Sequence, residues 1–424
     1  MKYYKSIISS SLGNLLEWYD FGLFAVFSPL FSRLFFPTED PHVALIMTFT
    51  VLAIGFLCRP IGALIFGYMG DKTGRAKTLR MSVLMISIPT LLIGFLPTYQ
   101  SVGIAAPILL TSIRIWQGIS LGGEYSGNLI YLTESAPNKL RATVTSLAGT
   151  GANLGILLAT VVSAACSYFF SDAAFQSYGW RLPYVVSGFL SIFIYYTRLN
   201  MQETKIFDQL KKENKLAKNP IKVVLKDNIP QVLRTIGLVC MGSTFYYLCF
   251  IYMPTFLIQN LHFSLAKAST VMTFCIGAMI ILVPLSGYIA DHINRRKMLL
   301  FNVAMIAIVT LPGFYFLLKE YVFYIFIVLA VFTVVSSLEQ ATTSVAVVEN
   351  YPTPARYTGL SLGYNIGNAI FGGTAPLICE WLITETQFVF APAVYIVSCA
   401  FITGMVILFS VKDTRNSSLI HTTP

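Results

Sequence analysis

Glu134-Ser135-Ala136-Pro137-Asn138-Lys139-Leu140-Arg141-Ala142-Thr143 returns 215 positions later as Glu349-Asn350-Tyr351-Pro352-Thr353-Pro354-Ala355-Arg356-Tyr357-Thr358. Four residue types match inside this window. At the same offset Glu124, Ser146, Leu147 and Asn153 reappear as Glu339, Ser361, Leu362 and Asn368. So many identities at one offset, several of them polar, are hard to obtain by chance in an apolar chain. In each copy a long apolar segment bearing one acid leads into the turn, and another apolar segment leaves it. The chain therefore reads as two homologous halves sharing one membrane hairpin.

Only 11% of the 424 residues are charged and 55% are hydrophobic. Soluble domains carry roughly a quarter charged residues, so an aqueous fold is excluded. A helix crossing a ~30 Å hydrocarbon layer needs about 20 mostly apolar residues. Twelve segments qualify: 10–36, 43–69, 80–97, 103–133, 142–170, 182–199, 233–258, 268–290, 298–318, 321–348, 357–382 and 390–410. They predict an all-α membrane protein with an N-terminal six-helix bundle (1–199), a linker (200–232), a C-terminal six-helix bundle (233–410) and a tail (411–424). Lys2 and Lys5 precede the first segment as in a signal peptide, but Glu17 and Asp20 interrupt it and no A-x-A site follows. It reads as an uncleaved first span.

The net charge is +10, which raises nucleic acid as a partner, but the distribution points to a bilayer. Of 29 Lys and Arg, leaving those at the span ends nearest the termini's side with that side, three are assigned to spans (Arg33, Arg59, Arg114) and three to the other side (Arg181, Lys267, Lys319). The other 23 share the side of both termini, so the termini are expected in the cytoplasm. The seven cysteines stand singly and suit apolar packing, and no metal site is visible.

Along the chain, span one carries Glu17 and Asp20 three apart on one helix face. Span two holds Arg59-Pro60 and ends in Gly67 through Lys77, a turn echoed 220 positions later by Gly287, Asp291, Arg295 and Lys297. In span four, Arg114, Gln117, Leu121, Glu124, Tyr125 and Asn128 fall on one stripe. Gly122, Gly123 and Gly127 lie round from it, where small residues let helices approach. The lysine-rich 199–232 reads as a solvated linker. The second half offers Tyr246, Tyr247 and Phe250 in span seven, Glu339 in span ten, and Tyr364, Asn365 and Asn368 in span eleven.

Glu17, Asp20, Arg59, Arg114, Glu124 and Glu339 stand inside spans. An Arg, Lys or Asp facing lipid at mid-bilayer costs about 2.5–3.5 kcal/mol, so six such groups would cost on the order of 15 kcal/mol. That matches or exceeds the ~5–15 kcal/mol stability of a typical fold. They must face a polar cavity or one another, as ion pairs locking the bundle, a substrate and proton path, or both. Four acids against two arginines leave two unpaired, and desolvation favours the neutral carboxyl group. With no His in the spans, Glu17, Asp20, Glu124 and Glu339 are the proton-coupling candidates.

These residues resemble a major facilitator superfamily transporter, and more narrowly the metabolite:H⁺ symporter family. That family includes bacterial carriers for proline and glycine betaine, α-ketoglutarate, shikimate and citrate. The likeness rests on Glu17-Trp18-Tyr19-Asp20-Phe21, Arg59-Pro60 with the Gly67–Lys77 loop, and Arg114-x-x-Gln117-Gly118 with Gly122-Gly123-Glu124-Tyr125. It continues through Trp180-Arg181-x-Pro183, Glu203-Thr204, Arg356-Tyr357-Thr358-Gly359 and Gly363-Tyr364-Asn365 to Gly372-Gly373-x-x-Pro376. It implies two pseudo-symmetric six-helix bundles around a central site, working by alternating access. It also implies a cytoplasmic gate of Asp71, Arg75, Glu134 and Arg141 with Asp291, Arg295, Glu349 and Arg356. Three departures stand out. Asn294 replaces Gly74 in the second loop, the tail is too short for the coiled-coil extension of osmosensing betaine carriers, and span five lacks the proline of drug antiporters.

The expected function is proton-coupled uptake of a small polar metabolite, with H⁺ as coupling ion and no cofactor. The protein is expected to act as a monomer in the bacterial inner membrane. A zwitterion such as proline or glycine betaine comes first, because the cavity reads as acidic and rings such as Trp18, Tyr19, Tyr246, Tyr247 and Phe250 suit a quaternary ammonium. The substrate-binding candidates are Arg59, Arg114, Gln117, Tyr125, Asn128, Tyr246, Tyr364, Asn365 and Asn368. A mono-, di- or tricarboxylate clamped by Arg59 and Arg114 is the alternative. A membrane sensor is opposed by the lack of a signalling domain, and an enzyme by the lack of metal ligands or an activated nucleophile.

Overall fold

A computed structural model describes residues 2–415 and 417–420; part of the expected tail 411–424 thus lies outside the described residues. The described residues form helices and connecting turns, with no strand among them. Lipid offers backbone amides no partner, and a helix satisfies them internally.

Span one is Lys2–Phe35, span two Pro41–Thr73 and span three Arg75–Ile93. Span four runs as Ala105–Leu121 and Glu124–Ser135, broken at Gly122-Gly123, and span five is Arg141–Phe169. Span six is Arg181–Leu199, and span seven joins Ile229–Tyr246 to Met253–Leu261 through a π turn, Tyr247–Tyr252. Leu265–His292, Arg295–Leu317 and Val322–Glu349 are spans eight to ten. Span eleven joins Arg356–Gly367 to Ala375–Thr386 through a second π turn, Asn368–Gly373, and span twelve is Ala391–Ser410. Ten helices among the described residues are long and apolar enough to cross a membrane. The charge-bearing first span and the glycine-broken fourth complete the twelve.

The chain condenses into two compact units, Met1–Tyr131 with Gly151–Leu216, and Leu132–Thr150 with Ala217–Pro424. The first copy of the repeated turn thus packs with the second half rather than with residues 1–199. Ala142 shares a buried cluster with Ala290, Met298 and Val345. A Cβ at Gly287 would overlap the Ala142 carbonyl, so only glycine lets spans eight and five approach there.

In the first unit, Phe24, Phe27, Phe31 and Phe35 repeat at helical spacing and build an aromatic core with Trp180 and Tyr184. Spans two and four touch backbone to backbone, because Gly118 faces the Gly55 carbonyl and Gly122 the Arg59 carbonyl. Span three starts five residues before its expected limit. Gly74, at φ 118°, reverses the chain in one residue, and the Glu203 carboxylate caps the new helix through Arg75 N (3.0 Å) and Ala76 N (3.1 Å). The second half solves the same turn differently. Asn294 keeps a negative φ and caps span nine itself through Lys297 N (3.0 Å), while Asp413 takes Arg295 N (2.9 Å).

The linker differs from a solvated run. Thr204 and Asn219 cap two short helices, Lys205–Lys212 and Pro220–Asp227, that bury Phe207, Leu210 and Val224.

Candidate functional site

Three of the acids on the first unit's spans meet an arginine. Asp20 Oδ2 accepts from Arg114 Nη1 at 2.9 Å, and Asp20 Oδ1 from Gln117 Nε2 at 3.2 Å. Gln117 Nε2 also reaches Thr90 Oγ1 at 2.9 Å. Glu17 faces Arg59 at 3.7 Å, an ion pair too long for a hydrogen bond. Both Glu17 oxygens lack a hydrogen-bond partner among the described residues, although the residue is only 1% exposed. The guanidinium groups lie over rings, Arg59 4.2 Å from the Phe56 centroid and Arg114 3.8 Å from that of Phe24.

A small cleft opens against these groups, lined among others by Asp20, Phe56, Arg59, Arg114 and Gln117. Arg59 Nε, Arg114 Nε and Nη2, and Gln117 Oε1 keep hydrogen-bonding capacity unspent beside it. Two cations and two anions therefore surround the cleft, counting Glu17 behind Arg59. Arginines and carboxyl groups are thus equal in number here, where the sequence count led to an acidic cavity.

Glu124 takes no part in that cleft. Its oxygens accept from Arg198 Nη2 at 2.5 Å and Nη1 at 3.0 Å, and from the Ser82 hydroxyl. Arg198 is fully buried and also donates to the carbonyls of Ser9 (3.2 Å), Ser10 (2.8 Å) and Leu79 (2.5 Å). Spans one, three, four and six are thereby tied at one point. Gly13 makes this possible, because a Cβ there would occupy the Arg198 guanidinium. Asn128 Oδ1 accepts from Ser10 Oγ at 2.5 Å, and Tyr125 packs edge-on against Trp18, centroids 6.3 Å apart. The stripe on span four thus divides at its glycine break. Arg114 and Gln117 reach the cleft, whereas Glu124, Tyr125 and Asn128 are engaged by neighbouring helices.

In the second unit Glu339 lies against Gly242 with Oε1 unpartnered, and no arginine pairs with it among the described residues. Tyr246 packs on Phe250 at 5.5 Å. Asn368 Oδ1 accepts from Ser243 Oγ at 3.0 Å, Asn365 bonds its own helix at Ser361 O, and Tyr364 is half-buried.

The expected gate residues are buried, and most of them cluster. Arg356 Nη1 meets Glu134 Oε1 at 2.8 Å, and Arg141 Nη1 meets Glu349 Oε1 at 3.4 Å, so each copy of the repeated turn pairs with the other. Arg295 joins Glu349 (3.4 Å) and Asp291 (3.1 Å). Asp291 caps span five through Ala142 N and Thr143 N, both 2.9 Å. In the first unit Asp71, fully buried, pairs with Arg75 at 3.3 Å. None of these is a wet-rim contact, which would contribute only ~0–1 kcal/mol. Breaking one partner of a buried pair costs about 3–5 kcal/mol.

Sequence reasoning missed Arg198, which stands so near the end of its span that it reads as one more flanking cation. The signal was the charge count: Glu124 lacked a partner, and Arg198 stands in the last turn of span six. It also missed Glu380, whose carboxylate meets Tyr252 Oη at 2.6 Å between spans seven and eleven.

Arg114→Lys keeps the charge but loses the flat stack on Phe24 and the spare N–H groups. Substrate affinity measured by equilibrium binding should fall about tenfold or more. Wild-type affinity would mean that any cation suffices there.

Long apolar spans, internally paired charges and a polar cleft define a membrane-embedded transporter. Residues 10–376 match the Major Facilitator Superfamily, and the chain belongs to that superfamily. A putative proline/betaine transporter of Staphylococcus aureus (strain MSSA476) is 33% identical over 98% of this chain and 90% of its own length. The proline/betaine transporter of Escherichia coli (strain K12) is 31% identical over 99% of this chain and 85% of its own. A solved proton:xylose symporter shares the fold, with a TM-score of 0.79 at 15% identity, covering 99% of this chain and 98% of the other.

Proposed function

We propose that the chain is a proton-coupled symporter that takes up a small zwitterion, proline or glycine betaine, by alternating access. It acts as a monomer in the bacterial inner membrane with both termini in the cytoplasm. The observation carrying this reading is the balanced quartet Glu17–Arg59 and Asp20–Arg114 at one cleft. A zwitterion brings one charge of each sign, and the site offers a counter-group to each. The names of the relatives support the same substrate class. The unspent N–H groups of Arg59 and Arg114 favour the second reading, a carboxylate substrate.

In this reading the substrate carboxylate meets Arg114 and Arg59 and displaces their grip on Asp20 and Glu17. Glu17, freed from a long pair, then takes the proton. Glu134–Arg356 and Arg141–Glu349 form the cytoplasmic gate, which must part for release.

Uptake of radiolabelled proline, glycine betaine, α-ketoglutarate, citrate and shikimate into vesicles with an imposed pH gradient tests both readings. Proline or betaine should accumulate only while the gradient lasts, and a protonophore should abolish it. Accumulation that follows a sodium gradient instead, or citrate outcompeting proline, would overturn the proposal.

A further inference from the structure

The segment after span twelve does not trail away from the fold. Asp413 Oδ1 accepts from Arg295 N (2.9 Å), and Arg415 Nη1 donates to the His292 carbonyl (2.9 Å). Thr414 Oγ1 donates to Glu349 Oε2 (2.5 Å). The Ser417 carbonyl accepts from Arg141 Nη1 (2.9 Å). The Leu419 carbonyl accepts from Arg356 Nη2 (2.6 Å) and Thr353 Oγ1 (2.6 Å), and Leu419 itself is only 5% exposed. Terminal segments are ordered only when tied down, and this one is tied to the ions that pair the repeated turns.

We infer that residues 413–415 and 417–419 act as a strap that holds the gate shut by bridging Arg141 of the first repeat copy and Arg356 of the second. The inference rests on the gate reading above.

The geometry gives it a mechanism. Each arginine donates both to a carboxylate of the opposite copy and to a carbonyl of the strap, beside bonds within its own turn to Asn138 or the Tyr351 carbonyl, and such charge-assisted bonds are the strong ones. Opening separates Arg141 from Arg356, and one short segment cannot follow both. The strap must therefore release one copy before the gate can part, so it biases the protein toward the closed state. Its anchor is part of the repeat architecture. Glu203-Thr204 follows span six as Asp413-Thr414 follows span twelve, and each acid caps the third helix of its half. The run from Ser417 to Leu419 is the second half's addition.

Hydrogen–deuterium exchange on the full chain in lipid nanodiscs, read over residues 134–145 and 349–358, tests this. Deleting residues 413–424 should speed exchange there about tenfold, and Thr414→Val or Leu419→Asp about two- to threefold. Should the deletion not reach the membrane, the two point variants decide. Glu134→Gln serves as the gate control. Acceleration by Glu134→Gln with wild-type exchange in the strap variants overturns the strap and leaves the gate. Wild-type exchange in every variant overturns the gate reading and the strap with it.

Discussion

Arg198→Ala is expected to lower the yield of folded protein and its melting temperature in detergent more than any loop substitution. The side chain is fully buried, and its guanidinium serves both oxygens of Glu124 and three backbone carbonyls on spans one and three. Removing it leaves a buried carboxylate with the Ser82 hydroxyl as its remaining neighbour from this network. An uncompensated charge of this kind destabilises by about 3–5 kcal/mol, a large part of the ~5–15 kcal/mol that holds a typical fold together. Arg198→Lys should fall between, since three donors on one nitrogen cannot span five acceptors. Pairing Arg198→Met with Glu124→Leu should recover much of the loss, because apolar replacement of a whole buried pair is often near neutral. Wild-type melting of Arg198→Ala would show that the pair locks nothing.

The internal repeat made most of this fold legible. Matching polar residues at one offset require two similar halves, and the apolar lengths give twelve crossings once lipid is the solvent. Element limits failed where a single residue decides them. Gly74 looked like loop, yet its positive φ lets span three begin at the next residue. The same periodicity placed Glu124 and Asn128 with Arg114 on one stripe, and the break at Gly122-Gly123 divides them. The pairing of buried charges was only half legible, because sequence spacing relates residues on one helix and not across helices. Ion pairs among the buried groups were one expectation, but Asp20 with Arg114 and Glu124 with Arg198 join residues 94 and 74 positions apart. The strap was invisible for a deeper reason. Its acceptors at Ser417 and Leu419 are backbone carbonyls, which every residue carries and no side-chain pattern reveals.

Glu17→Gln is expected to abolish accumulation against a gradient while sparing exchange of substrate between preloaded and external pools. Glu17 and Asp20 share a helix face, but their surroundings differ. Asp20 accepts from two donors at 2.9 and 3.2 Å, Arg114 and Gln117. Glu17 has a cation at 3.7 Å and no hydrogen-bond partner among the described residues. A proton can therefore join or leave Glu17 without dismantling a hydrogen-bonded pair, as a coupling site needs. Glutamine keeps the shape and removes the titration, so the carrier should still cycle with substrate but no longer couple it to H⁺. Asp20→Asn should behave differently, because it strips Arg114 of its buried counter-charge, again a loss of about 3–5 kcal/mol. Both accumulation and exchange should then fail, along with stability. The contrast is read by measuring pH-gradient-driven uptake and counterflow on the same vesicles. Normal accumulation by Glu17→Gln would move the proton elsewhere, first to Glu339, whose Oε1 is likewise unpartnered and which has no arginine beside it among the described residues.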